Sequence, residues 1–295
     1  MTDFTFKNDW QIQWEAARAA LAEEMQEDLS LDALTGTNGN ESRSLIDDSG
    51  NAAGWLIAQR KKGHRHSADD VLTAWYALQH TPRVERHLDL GTGIGTVGLL
   101  TLWGMGAKAQ LTCVEAQEVS YRQLRLNVQA NGLTNRVQTL WGDLRNFSAD
   151  EKFPLITGSP PYFPEGTGVM PLDSQKAHAR FELRGNVCDY AQAAARNIEP
   201  SGWFALCFPT PQKQRALDGL DAAGFVVAFM RDVIPRDSLP ALFTVFACRL
   251  RENFIGKTVV EQPLVVRHLN GKLTAEMAAV RVGFGFPERG AEEMG

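Results

Sequence analysis

Four consecutive residues, Ser159, Pro160, Pro161 and Tyr162, combine a hydroxyl, a rigid turn and an aromatic ring. Two prolines restrict the backbone to an extended turn, which suits the aiming of a carbonyl and a side chain. The Ser159 hydroxyl and the Pro160 carbonyl can accept both protons of an NH2 group that is conjugated to a ring or a carbonyl. The nitrogen lone pair would then face a neighbouring electrophile for in-line attack, and such positioning supplies much of the rate. Tyr162 can stack on a flat substrate, and Phe163 either extends that wall or belongs to the core.

A glycine-rich loop lies upstream, in the segment LDLGTGIGTVGLL. Gly91, Gly93 and Gly95 follow an apolar strand and open a helix. Glycine lets the backbone turn sharply and approach a ligand, and the helix N-terminus offers free N–H groups. The loop alone leaves the cofactor open between S-adenosylmethionine and a nicotinamide dinucleotide, since Gly93, Gly95 and Gly98 also satisfy GxGxxG. A strand-to-helix turn without any ligand is the third alternative.

Three acidic residues follow predicted strands. Glu115 ends the second strand about 20 residues after the glycines, where a carboxylate takes a ribose diol in both kinds of cofactor site. Asp89, at the end of the first strand, is placed to contact the ammonium of a bound S-adenosylmethionine. Asp143, after the third strand, either accepts from the adenine amino group or caps a helix or turn.

The order of DLGTGIG, VEA, GD and SPPY resembles that of the class I S-adenosylmethionine-dependent amino-group methyltransferases. Their tetrapeptide is Asn, Asp or Ser followed by Pro-Pro and an aromatic residue. GHRHSADDVLTAW further resembles the GYRFSxDxVLLA of bacterial tRNA (adenine-N6) methyltransferases that modify a valine tRNA, and SPPYFPEGTG…AHARFE resembles their NPPYFxxG…AR.E. The resemblance spans roughly residues 57–270. Ser159 replaces the usual Asn of that branch, and His64 and His66 replace its Tyr and Phe.

The resemblance implies transfer of the methyl group of S-adenosyl-L-methionine, with S-adenosyl-L-homocysteine as product, to an exocyclic or amide NH2 nitrogen. Adenine N6 in structured RNA, a tRNA or an rRNA, is the favoured acceptor. The resemblance also implies three sets of site residues. The catalytic residues would be Ser159, Pro160, Pro161 and Tyr162. The cofactor would be bound by Asp89, Gly91, Thr92, Gly93, Gly95, Glu115 and Asp143, and the substrate by Phe163 and Arg180.

Three alternatives stay open. The acceptor could be a protein glutamine or a small-molecule amine. A nicotinamide-dependent oxidoreductase would leave SPPY unexplained. A cofactor-binding homologue with reduced activity is the third, because the hydroxyl of Ser159 is a weaker acceptor than a carboxamide oxygen.

From residue 64 onward apolar strands alternate with helical stretches, which predicts a parallel sheet with covering helices. The last two strands are separated only by PRDSLPA, too short for a crossover helix, so they form an antiparallel hairpin. We therefore expect an α/β fold with a Rossmann-like doubly wound methyltransferase sheet, mostly parallel with an antiparallel terminal hairpin. The predicted strands are Arg86–Leu90, Gln110–Glu115, Val137–Trp141, Leu155–Gly158, Trp203–Phe208, Val226–Val233 and Leu242–Leu250.

The N-terminal region is predicted to be a separate extension. Apolar residues recur at helical spacing over residues 8–30, with Trp10 and Trp14 on the apolar stripe. Residues 35–51 are rich in Gly, Asn, Ser and Asp and predict a loop. The expected division is a helical N-terminal extension and loop over residues 1–55 and a methyltransferase domain over residues 56–295.

Net charge is −5, whereas a protein that coats nucleic acid usually has a basic excess. Any RNA contact is therefore expected to be local, through one basic cluster before the cofactor loop and another after SPPY. These clusters are Arg60, Lys61, Lys62 and Arg65, and Lys176, Arg180 and Arg184.

Cysteine and histidine spacing predicts no metal site, and the four cysteines are expected to be buried thiols. No apolar run reaches the ~18 residues of a membrane span. The N-terminal residues MTDFTFKNDW do not look like a targeting segment, so a cytoplasmic location is expected.

Overall fold

A computed structural model of the chain describes residues 9–38, 45–48 and 52–288. It contains eight α-helices and twelve strands in these ranges. In chain order they are α1 (Asp9–Met25), β1 (Leu29–Ala33), β2 (Leu45–Ile46), β3 (Ala52–Ala53), β4 (Leu56–Arg60), α2 (Ala68–His80), β5 (Arg86–Leu90), α3 (Thr96–Met105), β6 (Gln110–Glu115), α4 (Glu118–Ala130), β7 (Val137–Trp141), β8 (Phe153–Gly158), α5 (Ser174–Arg180), α6 (Val187–Asn197), β9 (Ile198–Pro209), α7 (Lys213–Ala222), β10 (Phe225–Ile234), β11 (Phe243–Leu250), β12 (Val259–Val265) and α8 (Ala275–Gly283).

Eight of the strands form one sheet in the order β12-β10-β11-β9-β8-β5-β6-β7. Strands β5 to β9 pair in parallel, and β11 lies antiparallel between β9 and β10. This arrangement confirms the predicted Rossmann-like sheet with its antiparallel hairpin. The sequence did not predict β12, which adds an eighth strand parallel to β10 at the outer edge.

The central strands β5, β6 and β8 are largely buried because both faces of the sheet are covered. In β11 the first six residues are all buried. Neighbouring residues in one strand contribute to different clusters: Cys113 belongs to the cluster under α2, α3 and α4, and Val114 belongs to the cluster under α6 and α7. The core therefore consists of two layers, one on each face.

The N-terminal extension is not purely helical. Strand β1 pairs antiparallel with β4, from Leu29 opposite Arg60 to Ala33 opposite Leu56, so the pairing crosses the predicted boundary at residue 55. Trp14 of α1 is 1% exposed and lies in one cluster with these strands and with α4. The predicted loop at 35–51 includes β2, and part of it, like the side chain of Trp10, lies outside the described residues.

Asn127 of α4 and the C-cap residue Asn131 attach β4 to the main domain. Asn127 accepts from the Ala58 N–H at 2.8 Å and donates to the Ile94 carbonyl at 2.9 Å. Asn131 accepts from the Leu56 N–H at 3.0 Å. Because these side chains satisfy backbone groups of an edge strand, they replace a missing sheet neighbour. Asn127 therefore links β4 to the glycine loop.

The segment after β1 reaches the end of α8. The Gly36 N–H donates to the Phe284 carbonyl and the Asn38 N–H to the Gly285 carbonyl, both at 2.9 Å. A Cβ at Gly36 would lie 1.9 Å from the Gly285 oxygen, so only glycine allows this approach. Among the described residues, no helix is both long and apolar enough to cross a membrane.

Candidate active site

A cleft of about 340 Å³ lies at the carboxyl ends of β5, β6 and β8, the place where open α/β sheets bind ligands. The glycine loop forms one side of it, and the tetrapeptide after β8 forms another. Eleven of the predicted site residues line this cleft, namely Asp89, Gly91, Thr92, Gly93, Glu115, Ser159, Pro160, Pro161, Tyr162, Phe163 and Arg180.

The glycines of the loop have different roles. Gly91 and Gly93 both have φ of +59°, a region that favours glycine. A Cβ at Gly93 would meet no atom within 4 Å, so this residue faces open space. A Cβ at Gly91 would lie 1.8 Å from the Tyr190 hydroxyl. Gly95 is the N-cap of α3 and packs against Leu124, which gives it a structural role away from the cleft.

Asp89 is buried beneath the loop, with 1% exposure. The hydroxyls of Thr92 and Thr157 donate to its carboxylate at 2.5 and 2.6 Å, and the Gly98 N–H donates at 3.0 Å. Burial raises the pKa of Asp89 to about 6, although these three hydrogen bonds oppose the rise. The oxygens of Asp89 accept hydrogen bonds from protein groups, so Asp89 braces the loop. Its contact to a ligand ammonium stays a prediction.

Glu115 lies at the end of β6, opposite the glycine loop. Its carboxylate accepts from the Gly93 N–H at 2.8 Å and from the Gln117 N–H at 2.6 Å. Burial raises the pKa of Glu115, and the two backbone hydrogen bonds counteract that rise. A buried carboxylate next to an open glycine is a suitable acceptor for a diol.

Asp143 does not lie among the cleft-lining residues. Its carboxylate accepts from the Arg145 side chain, at 3.0 Å to Nε and 2.6 Å to Nη2, and from the Arg145 backbone N–H at 2.9 Å. Hydrogen bonding to Arg145 lowers the pKa of Asp143. The neighbouring residues Gly142 and Leu144 line the cleft, and the adenine contact of Asp143 stays a prediction.

The tetrapeptide places a hydroxyl and an aromatic ring in the cleft. The Tyr162 hydroxyl donates to Asp69 at 2.6 Å, and the ring packs edge-on against Phe208 with centroids 6.0 Å apart. Burial raises the pKa of Tyr162 well above its ordinary value. Phe163 is 42% exposed and lies 5.6 Å from Phe181, so it extends the wall of the cleft and is not buried core.

His64 and His66, which replace the Tyr and Phe of the similar family's motif, also line the cleft. Burial lowers the pKa of both His64 and His66. Arg180, the last residue of α5, lies in the same wall, and its backbone carbonyl accepts from the N–H groups of Tyr162 and Phe163 at 3.0 and 2.9 Å. Arg180 therefore braces the tetrapeptide through its backbone and also lines the cleft.

The two basic clusters differ in their surroundings. In the first, Arg60 contacts Glu27 and Asp173 with only 13% of its side chain exposed, and Arg65 pairs with Asp32 at 2.9 Å. The guanidinium of Arg60 is therefore used inside the fold, and the phosphate contact of this cluster stays a prediction. The second cluster is better placed, because Arg180 and Arg184 both line the cleft.

Sequence reasoning missed several cleft residues because their roles depend on tertiary contacts. Asp69, Gln175, His178 and Tyr190 all line the cleft. Asp69 alone carried a signal, since it matches the aspartate of the segment GYRFSxDxVLLA. In the described parts of the chain, no group of three or more His, Cys, Asp or Glu side chains could hold a metal ion.

The fold and the cleft are similar to those of methyltransferases. The family model of the methyltransferase small domain matches residues 70–175, which include most of α2, the glycine loop and the tetrapeptide. In fold, the chain is similar to the crystal structure of a predicted O-methyltransferase from Agrobacterium tumefaciens, with a TM-score of 0.58 and 17% sequence identity over 76% of this chain and 100% of that one. Both findings confirm the predicted methyltransferase fold.

Among curated proteins the chain is similar to tRNA1(Val) (adenine(37)-N6)-methyltransferases. The relative from Histophilus somni (strain 2336) is 31% identical over 47% of this chain, and the chain spans 58% of its length. That from Pasteurella multocida is 30% identical, with 63% of its length matched. That from Actinobacillus pleuropneumoniae serotype 7 is 28% identical over 75% of this chain and 89% of its own. The resemblance predicted from the motifs is confirmed.

Proposed function

We propose that this protein is an S-adenosylmethionine-dependent N-methyltransferase that modifies the exocyclic amino group of an adenine in structured RNA. One observation supports this most: Ser159-Pro160-Pro161-Tyr162 lines the same cleft as the glycine loop and Glu115. A methyl donor on the loop side would therefore lie beside an amine held on the tetrapeptide side. The names of the curated relatives support the choice of tRNA adenine.

The described residues fit S-adenosylmethionine, whose sulfonium supplies an activated methyl group when bound. Gly93 leaves open space where any other residue would place a side chain. The Glu115 carboxylate would hold the ribose hydroxyls, and the cleft volume lies within the roughly 300–1,000 Å³ range of small-molecule sites. Gly91 and Thr92 would contact the methionine part.

The tetrapeptide would hold the amine. The Ser159 hydroxyl and the Pro160 carbonyl accept its two N–H protons, which turns the nitrogen lone pair toward the methyl donor. The Tyr162 ring offers a stacking surface for an extruded base, and Phe163 and the Arg180 guanidinium complete the wall. Because a conjugated amine is a poor nucleophile, this orientation carries most of the catalysis.

The charge distribution supports RNA over a neutral acceptor. The basic residues Lys176, Arg180 and Arg184 follow the tetrapeptide, and two of them line the cleft. With a net charge of −5, only such a local set can contact phosphates, so we expect a small electrostatic footprint. We place the reaction in the cytoplasm, where tRNA is modified.

The decisive experiment follows a labelled methyl group. The purified protein is incubated with radiolabelled S-adenosylmethionine and separately with bulk tRNA, bulk rRNA and a protein extract, with Ser159→Ala as the inactive control. Label in tRNA adenine that depends on Ser159 supports the proposal. Label only in protein would favour the glutamine alternative, and label in none of the fractions would refute methyl transfer to these acceptors.

A salt titration tests the RNA contact. Replacing Lys176, Arg180 and Arg184 with alanine should weaken tRNA binding and lower the salt slope by about one unit for each phosphate that is no longer neutralised. Cofactor affinity should not change. Lys61→Ala/Lys62→Ala is the control, because it removes exposed charge that does not line the cleft, and an equal effect of both variants would contradict a specific basic wall.

A further inference from the structure

A chain of hydrogen bonds leads from α2 to the tetrapeptide through a cysteine. The Tyr162 hydroxyl lies 2.6 Å from Asp69 Oδ2 and 3.4 Å from Cys207 Sγ. Cys207 Sγ in turn lies 3.5 Å from Ser159 Oγ. Three separate elements, α2, the loop after β8 and β9, supply these four side chains. Cys207 itself is 0% exposed, so solvent does not compete for its contacts.

The direction of the chain follows from its first member. A carboxylate has no proton to donate, so Tyr162 donates to Asp69. The Tyr162 oxygen is then free to accept from the Cys207 thiol, and the sulfur is free to accept from the Ser159 hydroxyl. Once the Ser159 proton points to sulfur, its oxygen lone pairs point elsewhere.

We propose that the hydrogen-bond chain Asp69–Tyr162–Cys207–Ser159 fixes the Ser159 hydroxyl as an acceptor toward the cleft, and that Cys207 is a positioning residue for the amine. The proposal rests on the proposed function for the identity of that amine. It explains how a serine can replace an asparagine: a carboxamide oxygen can only accept, whereas a hydroxyl can also donate, so its proton must be directed away from the amine.

The environment of the sulfur agrees with this role. Burial raises the pKa of Cys207 to about 12, so the thiol keeps the proton that it donates. Thr73 also contacts the sulfur, but its hydroxyl donates to the Asp69 carbonyl at 2.7 Å. Thr73 thus needs its own control in any test.

Infrared spectroscopy tests the direction without any substrate. The S–H stretch absorbs where little else in a protein does, and loss of a band in Cys207→Ala assigns it. We expect Tyr162→Phe to shift this band to the frequency of a free thiol, and Ser159→Ala and Thr73→Val to leave the thiol hydrogen-bonded. A free-thiol band in Ser159→Ala or in Thr73→Val, or no shift in Tyr162→Phe, would overturn the proposal.

Kinetics then test the consequence for methyl transfer to tRNA. Cys207→Ala should lower kcat about 3- to 10-fold, the effect of removing one hydrogen bond, with KM for tRNA and the Kd for the cofactor unchanged. Cys207→Ser should restore kcat because its hydroxyl can donate and accept in the same place. Cys248→Ala, at another fully buried cysteine, is the control for cavity formation and should leave kcat unchanged.

These outcomes separate the two claims. Equal kcat in Cys207→Ala and in the wild type, or an equal loss in Cys248→Ala, would refute the positioning role. If the wild-type protein transfers no methyl group at all, the proposed function fails. The infrared result still decides whether the Cys207 thiol donates its hydrogen bond to Tyr162.

Discussion

Replacing Arg60 with alanine should weaken the fold substantially. The Arg60 side chain is 13% exposed and joins the N-terminal extension to α5, with Nε 2.6 Å from Glu27 and Nη2 2.7 Å from Asp173. Nη1 also donates to Gln175 at 3.2 Å. Asp173 is the N-cap of α5, so the guanidinium fixes the start of the helix that carries Arg180.

The size of the expected stability loss follows from how exposed the two carboxylate partners of Arg60 are. Glu27 and Asp173 are 16% and 23% exposed, so removal of Arg60 leaves two partly buried carboxylates without their guanidinium partner. Breaking a fully buried ion pair costs about 3–5 kcal/mol, and breaking an exposed pair costs about 0–1 kcal/mol. We therefore expect a loss of roughly 2–3 kcal/mol in the free energy of unfolding.

Urea denaturation of the two variants Arg60→Ala and Lys61→Ala measures this difference. Lys61 is the matched control, because its pair with Asp28 at 3.5 Å is 55% and 82% exposed and should contribute less than about 0.5 kcal/mol. The free energy of unfolding of Arg60→Lys should lie between those of the two alanine variants, since an ammonium cannot make the forked contact of a guanidinium. If Arg60→Ala were no less stable than Lys61→Ala, the coupling between extension and α5 would be refuted.

Three further predictions concern the cleft. Glu115→Ala should weaken S-adenosylmethionine binding by roughly 1–3 kcal/mol in calorimetry, because the ribose loses a charged acceptor, and an unchanged Kd would remove Glu115 from the cofactor site. Ser159→Ala and Tyr162→Ala should lower the rate of methyl transfer far more than cofactor affinity, which single-turnover assays and calorimetry measure separately; a normal rate in both would exclude the tetrapeptide from the mechanism. Asp89 has a folded-state pKa of about 6, above the 3.8 of an ordinary Asp, so its stabilising contribution is complete below 3.8 and is lost as pH rises through 6. Between about pH 5 and pH 7.5 the wild type should lose roughly 1 kcal/mol of unfolding free energy relative to Asp89→Asn, and a parallel pH dependence of the two proteins would contradict the raised pKa.

The sequence predicted the central sheet well because its strands are short apolar runs bounded by polar residues. The predicted ranges of β5, β6 and β7 agree with the structure residue by residue. Strand β12 escaped prediction since most of VVEQPLV is exposed and contains a proline. The pairing of β1 with β4 joins residues more than 20 positions apart, and no local pattern specifies such a partner.

For the site, the motifs predicted which loops meet, but not how each side chain is used. The glycines and the tetrapeptide follow strands that end at one edge of a parallel sheet, so their proximity follows from topology. By contrast, the Asp143 side chain turns to Arg145, two residues away, and Asp69 reaches Tyr162 from a helix 93 residues earlier. Such choices depend on rotamers and on tertiary packing, and a linear pattern contains neither.

The two backbone hydrogen bonds between the segment after β1 and the end of α8 connect residues that are far apart in the sequence, Gly36 with Phe284 and Asn38 with Gly285. Neither segment can open without breaking contacts of the other, so we expect them to unfold locally as one cooperative unit. Their amide protons should then exchange with solvent deuterium at a common opening free energy. Deleting either segment should therefore lower the hydrogen-exchange protection of both.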